Sequence, residues 1–373
     1  MPTPPLHPPT LALTMGDPAG VGPEIIAGAW STFFDRHADA SAFPLPETRP
    51  VVFGDPDVMR AALKIRGIDA DVVVVSEVNP ADDFAAHAYP CFADDYDAFG
   101  NAKAIPVVAC CAPSVASVKI GEISAAGGDA AFRALNCAIT AALDGRVDAI
   151  VTAPLHKEAL HLAGHNYPGH TEILASRCGV DAFGMALYLG PCEALASPTG
   201  LGVAHVTLHT SMRNALDEVS TDKVLEKIRL LRKFMTTILD RAPRLGVCAL
   251  NCHAGDGGLF GREEIEIIAP AVAAAQAEGV DVAGPYPSDT LFLDAKNGLY
   301  DGIVAIYHDQ GHIAVKMMDM FAAVNVALGL PIIRTSVAHG TAFNIAGRGV
   351  AKTKSLVEAV RVAALFAQKK VTP

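Results

Sequence analysis

Aromatic side chains are scarce in this sequence, 6% of 373 residues with a single Trp. No apolar run continues for the ~20 residues that a membrane-crossing helix needs, and no basic stretch followed by an apolar one opens the chain. A soluble, cytoplasmic protein is the expectation. Positive charge is also short: 29 Lys and Arg against 40 Asp and Glu leave a net charge of -11. Without a clustered Lys/Arg stripe to track a phosphate backbone, nucleic acid is not an expected partner, and neither is a membrane. The eight Cys include no CxxC pair. Several fall inside apolar runs, where thiols act as small hydrophobes, so reduced intracellular cysteines are expected.

Small apolar residues are what the chain has in quantity. Hydrophobic residues make up 51%, mostly Ala, Val, Ile and Leu, which suits strands covered by small-residue helices and so an α/β fold. A chain of 373 residues is long enough for two domains with separate cores. The pattern along it alternates accordingly. LALTM, VVFGD, DVVVVSE and VDAIVTAPL read as strands, and GGDAAFRALNCAITAAL reads as a helix. From Thr221, Val224, Ile228, Leu231, Met235 and Ile238 share one face of an amphipathic helix. EIEIIAPAVAAAQAEG gives another, stopped at Gly279. The leader MPTPPLHPPT is too rich in proline for a helix or a central strand, and Ala81 to Ser117 shows no clear order of elements.

Three apolar runs in the second half each end in a histidine: VAHVTLHTS at His209, GVCALNCHAG at His253 and DGIVAIYHDQG at His308. If these runs are strands of an α/β sheet, their carboxyl ends open onto the crevice where such sheets bind ligands. Three convergent imidazoles suit a divalent metal with open coordination positions, as against ordinary turn residues. Two glycine-rich segments add to the pattern. In MGDPAGVGPEI, residues 15–25, Gly16, Gly20 and Gly22 allow a sharp path from strand to helix and Pro23 suits the first helical turn. The backbone amides there can face an anion, although a tight turn opening a helix accounts for the segment equally well. AHGTAFNIAGRGVA, residues 338–351, is more specific. It is similar to the stretch that wraps the adenosine of the nicotinamide cofactor in the decarboxylating dehydrogenases of isocitrate and isopropylmalate. That resemblance implies Gly340, Thr341, Ala342, Asn344, Ala346 and Gly347 as cofactor contacts.

In order along the chain, MGDPAGVGPEI, VTAPLHKEAL, PGHTEILA, the NCHAG block, SDTLF, YHDQG, VNVALGLPIIRTSVAHGTA and IAGRG resemble the 4-hydroxythreonine-4-phosphate dehydrogenase family. The resemblance implies a two-domain, isocitrate/isopropylmalate dehydrogenase-like fold with the active site in the interdomain cleft. A larger, cofactor-associated domain would comprise 1–150 and 335–373. A second domain, 151–334, would carry the metal site and the dimer contact. The implied chemistry is NAD- or NADP-linked oxidative decarboxylation of a small phosphorylated hydroxy acid. The implied metal is divalent, commonly zinc with Mg, Mn or Co as alternatives, on His209, His253 and His308. Substrate contacts fall to His170, Thr171, Lys316, Asn325 and Arg334, in a homodimer whose active site and metal shell are shared between subunits.

The residue types suit that chemistry. Lys316 and Arg334 are the cations a phosphate or carboxylate needs, although each alone reads equally as a surface charge. Lys316 and Asp289 are the candidate catalytic groups. A carboxylate beside a metal-bound alcohol relays a proton, whereas Asp289 as a turn or cap residue is the plainer reading. His165, His205 and His312 lie near the motifs but off the ligand positions and read as supports of the ligands or as structural. HLAGHNYPGHTE and YHDQGHIAVK look more like the family branch that oxidises D-threonate or D-erythronate 4-phosphate. A third branch, oxidising terephthalate dihydrodiol, keeps the metal histidines but alters the GHTE and IRTS segments that this chain retains. KMMDMFAA and PCEALASPTGLG depart from the family pattern. A metal-dependent hydrolase and a non-catalytic binder of phosphorylated metabolites are the alternatives from other classes.

Overall fold

The computed structural model describes residues 8–34, 45–78 and 102–370. Most of the proline-rich leader and residues 81–101 of the Ala81–Ser117 stretch lie outside these residues. The chain divides into two compact units, one of residues 1–180 with 330–373 and one of residues 181–329.

The first unit is built on six strands, β1 (Thr10–Thr14), β2 (Arg49–Gly54), β3 (Asp71–Glu77), β4 (Ala104–Ala109), β5 (Ala149–Thr152) and β12 (Ile333–Val337). Their order is β3-β4-β2-β1-β5-β12, and every pairing is parallel. Helices α1 (Gly22–Ala29), α2 (Pro56–Arg66), α3 (Ala125–Leu143), α4 (Lys157–Leu162), α5 (His170–Cys178) and α11 (Lys354–Lys370) belong to it. Local chemistry sets their starts. Asp55 accepts hydrogen bonds from the Asp57 and Val58 amides to open α2, and Ser124 caps α3 through the Gly127 amide at 3.2 Å. Alternating strands and helices bury a near-continuous apolar surface, as parallel sheets require.

The boundary expected at 150 and 334 moves to 180 and 329. The reason is packing: Leu160 of α4 and Ile173 and Leu174 of α5 join Phe53, Leu135, Ile139 and Ile150 in one buried cluster. The thirty residues after β5 therefore complete the first core rather than starting the second.

The second unit contains β6 (Gly184–Leu189), β7 (Leu201–His205), β8 (Leu245–Cys248), β9 (Val282–Tyr286), β10 (Gly302–Ala305) and β11 (Ala323–Leu328). Their order is β11-β6-β7-β10-β8-β9. The β11/β6 and β6/β7 pairs are antiparallel and the others parallel. Its helices are α6 (Met212–Glu218), α7 (Thr221–Leu239), α8 (Ala269–Ala277), α9 (Ser288–Lys296) and α10 (His308–Asp319). On α7, Val224, Ile228, Leu231 and Met235 are buried together with Phe234, while Ile238 is only half-buried. EIEII forms a single π-helical turn ahead of α8. Burial pushes the Cys248 thiol far up, in keeping with a cysteine that packs as a small hydrophobe. No described helix is long and apolar enough to cross a membrane.

Gly128 tests how tightly α3 meets α4. Alanine there would gain about 1 kcal/mol of helix propensity, but its Cβ would lie 2.0 Å from the Ala159 carbonyl oxygen. Overpacking of this kind costs about 1–3 kcal/mol or more. Gly128→Ala is therefore expected to lower the urea midpoint, and an unchanged or raised midpoint would show that the two helices separate freely.

Candidate active site

In the first unit, the two glycine-rich segments form one ledge. Glu24, buried in α1 at 3% exposure, accepts hydrogen bonds from the Gly347 and Gly349 amides. The Val21 amide donates to the Thr341 carbonyl at 2.9 Å. Gly20 must be glycine for this approach, because a Cβ would stand 2.9 Å from the Thr341 oxygen. Arg66 holds the far end through the Gly349 and Ala351 carbonyls at 2.6 and 3.0 Å. Gly340, Asn344 and Gly347 remain exposed on this braced loop, Thr341 is buried, and Ala342 and Ala346 are half-buried. Ala342 sits at φ 47°. A braced loop with exposed small residues offers a fixed face to the adenosine side of a dinucleotide, so the residues present suit a nicotinamide cofactor. Sequence reading undervalued MGDPAGVGPEI because Glu24 acts on a loop more than 300 residues away.

The same unit holds a buried cation. Arg334, on β12 at 3% exposure, donates from Nη2 to Thr152 Oγ1 at 2.7 Å, while its Nε has no hydrogen-bond partner. Burial pulls the guanidinium down to about 10, against the opposing field of Glu172. His170 begins α5 after an uncapped Gly169. Burial, and then the Arg334 charge, push its imidazole well below its ordinary value, so it is neutral at pH 7. Thr171 follows it, half-buried. Lys157 adds a further positive field at His170, a contribution the sequence reading missed although HKEAL lay inside a quoted motif. Buried cations without a bonded carboxylate are costly and are kept where an anion is to be held.

In the second unit, β7, β10 and β8 are adjacent and parallel, so the loops carrying His209, His308 and His253 leave one edge of the sheet. The strands stop short of the expected histidines: β7 ends at His205 and β8 at Cys248, and His308 opens α10. A cavity of about 580 Å³ is lined by Thr207, His209, Ser211, Tyr307, His308 and Asp309 among others. The His209 and His308 ring centres lie 6.1 Å apart. Two imidazoles on one tetrahedral zinc, with metal–nitrogen distances of about 2.1 Å, place their ring centres about 5 Å apart, about 1 Å closer than these two. His308 Nδ1 is engaged by Asp309 Oδ1 at 2.7 Å, which leaves Nε2 for a metal in the carboxylate–histidine–metal manner. The donor set thus fits two ligands of a divalent ion. His253 is exposed on its loop, and among the described residues no three His, Cys, Asp or Glu side chains converge to hold a metal. The full convergence expected from three strand ends is not completed within one chain.

Lys316 lies two helical turns beyond His308 on the same face of α10, with His312 between them, and is half-buried. His312 stacks on His308 at 3.7 Å and its Nδ1 is 3.2 Å from His205 Nε2. Burial, followed by the charges of His308 and Lys316, pushes His312 down to about 4. Asn325 on β11 is half-buried opposite Leu187. Asp289 stands exposed in the first turn of α9, with no hydrogen bond to the histidine cluster among the described residues.

The fold is that of an α/β protein, and the comparisons with known proteins make it an enzyme. A match to the family described as "Pyridoxal phosphate biosynthetic protein PdxA" spans residues 46–363, and the chain belongs to that family. It is 41% identical over 362 residues to a 4-hydroxythreonine-4-phosphate dehydrogenase of Trichlorobacter lovleyi, covering 96% of this chain and 98% of the relative. It is also 41% identical to the D-threonate 4-phosphate dehydrogenase of Salmonella typhimurium, covering 95% and 98%. Among solved structures, a 4-hydroxythreonine-4-phosphate dehydrogenase from Klebsiella pneumoniae superimposes with a TM-score of 0.77 at 39% identity, covering 96% and 100%. A terephthalate 1,2-cis-dihydrodiol dehydrogenase from Burkholderia xenovorans is more distant, at a TM-score of 0.61 and 28% identity over 96% and 98%. With relatives of this kind at such coverage, the chain is an oxidoreductase of the dehydrogenase class.

Arg334→Met removes an uncompensated buried charge. The free protein should melt at the same temperature or about 2–4 °C higher, roughly 1 kcal/mol, and should lose the stabilisation by inorganic phosphate expected of the parent protein. A thermal scan with and without phosphate reads both. A variant that melts lower and still responds to phosphate would remove Arg334 from the anion site.

Proposed function

We propose that this protein oxidises a small 4-phosphorylated hydroxy acid with NAD or NADP and releases carbon dioxide, as a 4-hydroxythreonine-4-phosphate or D-threonate/D-erythronate 4-phosphate dehydrogenase does. The observation that carries the reading is the buried Arg334 guanidinium, beside Thr152 and the neutral His170, in a chain that belongs to this family. A fixed cation out of water recognises a phosphate or a carboxylate strongly. His170 and Thr171 supply hydrogen bonds to the same anion, Lys157 adds long-range charge, and Lys316 and Asn325 hold the substrate's remaining polar groups. His209, His253 and His308 would hold a divalent ion such as zinc, or alternatively Mg, Mn or Co, which would supply Lewis acidity at the substrate oxygens, and the 340–347 ledge would hold a nicotinamide cofactor, which would supply the hydride acceptor. The chain's own part is to position. The 340–347 ledge takes the adenosine, Asp309 fixes the His308 tautomer, and Lys316 Nζ or the Asp289 carboxylate carries the proton leaving the hydroxyl.

The reading includes a cytoplasmic homodimer with a shared metal shell and an isocitrate dehydrogenase-like fold. Exposed apolar residues flank all three histidines: Met212 and Leu216 near His209, Leu259 and Phe260 near His253, and Ile313, Met317 and Met320 on α10 after His308. Such a surface suits a second copy of the chain, and the partner's His253 would complete the set that one chain leaves open. His312 favours the sugar-acid branch. A terephthalate-type diol, which carries no phosphate, leaves the Arg334 pocket without a use, and a metal hydrolase leaves the cofactor ledge without one.

The deciding experiment follows NADH at 340 nm with zinc-loaded protein and 4-hydroxythreonine 4-phosphate, D-threonate 4-phosphate, D-erythronate 4-phosphate and terephthalate dihydrodiol in parallel. Turnover of a phosphorylated substrate, lost by at least about 100-fold in His253→Ala, is expected. No reduction of NAD or NADP by protein shown to contain metal would overturn the assignment. Met317→Glu, which places a charge on the apolar face of α10, is expected to convert the dimer to monomer in light scattering and to release zinc with it. A monomeric parent protein would sink the shared shell.

A further inference from the structure

Beyond β8 the backbone takes an unusual course. Five successive residues, His253 to Gly257, lie in the left-handed region, with φ of 53, 52, 73, 45 and 67°. Glycine adopts this freely, but His253, Ala254 and Asp256 carry a Cβ, and each such residue costs about 1–2 kcal/mol. A turn of this kind persists only where its surroundings over-determine it.

Those surroundings centre on Glu264. It is 3% exposed and stands at the start of the π-helical turn Glu264–Ile268. Its Oε1 accepts from the Leu250 and Asn251 amides at 2.8 and 2.7 Å, and its Oε2 accepts from Asn251 Nδ2 at 3.0 Å. Burial alone would raise this carboxyl, but the hydrogen bonds from Asn251 and Leu250 outweigh it and hold the group below its ordinary value. Glu263 takes the same Asn251 amide at 2.7 Å. On the other side Gly255 packs so closely that a Cβ would stand 2.7 Å from Glu264 Oε2. One carboxylate therefore fixes the residues that enter the turn and touches the middle of it. His253 is left exposed at its start.

We propose that Glu264 is a positioning residue for His253: it clamps Leu250 and Asn251 and braces Gly255, so that the left-handed turn offers the imidazole outward as a ligand. This rests on His253 binding the metal, as in the function proposed above. The two carboxylate oxygens act purely as acceptors, so Glu264→Gln keeps the shape but turns one acceptor into a donor that faces another donor.

The test is a double-mutant cycle on the zinc affinity of the full-length dimer, measured by competition with a chromophoric chelator and accompanied by unfolding midpoints. Glu264→Gln is expected to weaken zinc binding by about 10–100-fold, His253→Ala by at least as much, and the double variant no more than His253→Ala alone. If His253→Ala binds zinc like the parent protein, the ligand assignment fails and the positioning role fails with it. If His253→Ala weakens binding while Glu264→Gln does not, or if the two losses simply multiply, the ligand assignment stands and the positioning role is overturned. Should Glu264→Gln not fold, Gly255→Ala strains the same contact from the other side and enters the cycle in its place, with the same outcomes.

Discussion

Parallel strands send every following loop to one edge of their sheet, and the chemistry of this protein is arranged by that constraint. In the first unit, β1 leads into MGDPAGVGPEI, β5 into the segment with Lys157, and β12 into the 338–351 loop. In the second, β7, β10 and β8 lead to His209, His308 and His253. Residues far apart in sequence become neighbours because neighbouring strands point the same way. The β11/β6/β7 pairs are antiparallel, and there the candidate residue, Asn325, sits within a strand rather than after one.

Buried charge is used in two opposite ways. Glu24 and Glu264 are each 3% exposed and each gathers backbone amides from a loop that must hold an unfavourable path. Hydrogen bonds to charged groups contribute about 1.5–3 kcal/mol apiece, enough to offset the left-handed residues in the turn they hold. Arg334 is the converse, a buried cation with a threonine hydroxyl as its one hydrogen-bond partner among the described residues. The carboxylates stabilise loops, while the guanidinium costs stability.

Much of this was legible beforehand because it follows local rules. The amphipathic face of α7 is periodic, and the glycine-rich segments announce turns. Some features were not legible. His205 and His312 read as supports of the ligands or as structural, and which of the two was open: both are buried beside each other and near His308, because α10 starts at His308 and a helix brings residues four apart onto one face. The domain boundary was missed by about thirty residues because α4 and α5 follow a strand in the manner of a new unit, while their apolar faces belong to the first core.

By itself the sequence determined the alternation of strand and helix, the absence of a long apolar span, the motifs that mark the family and the candidate residues for metal and anion. Period, propensity and turn chemistry act over a few residues, so they can be read in order. Tertiary structure alone decided that Glu24 braces a loop more than 300 residues away, that Arg334 is buried against Thr152, that Glu264 underlies the His253 turn, and that one chain brings together two of the three histidines. Those outcomes depend on which strands become neighbours and what each helix covers, and pairing across that distance leaves no local trace.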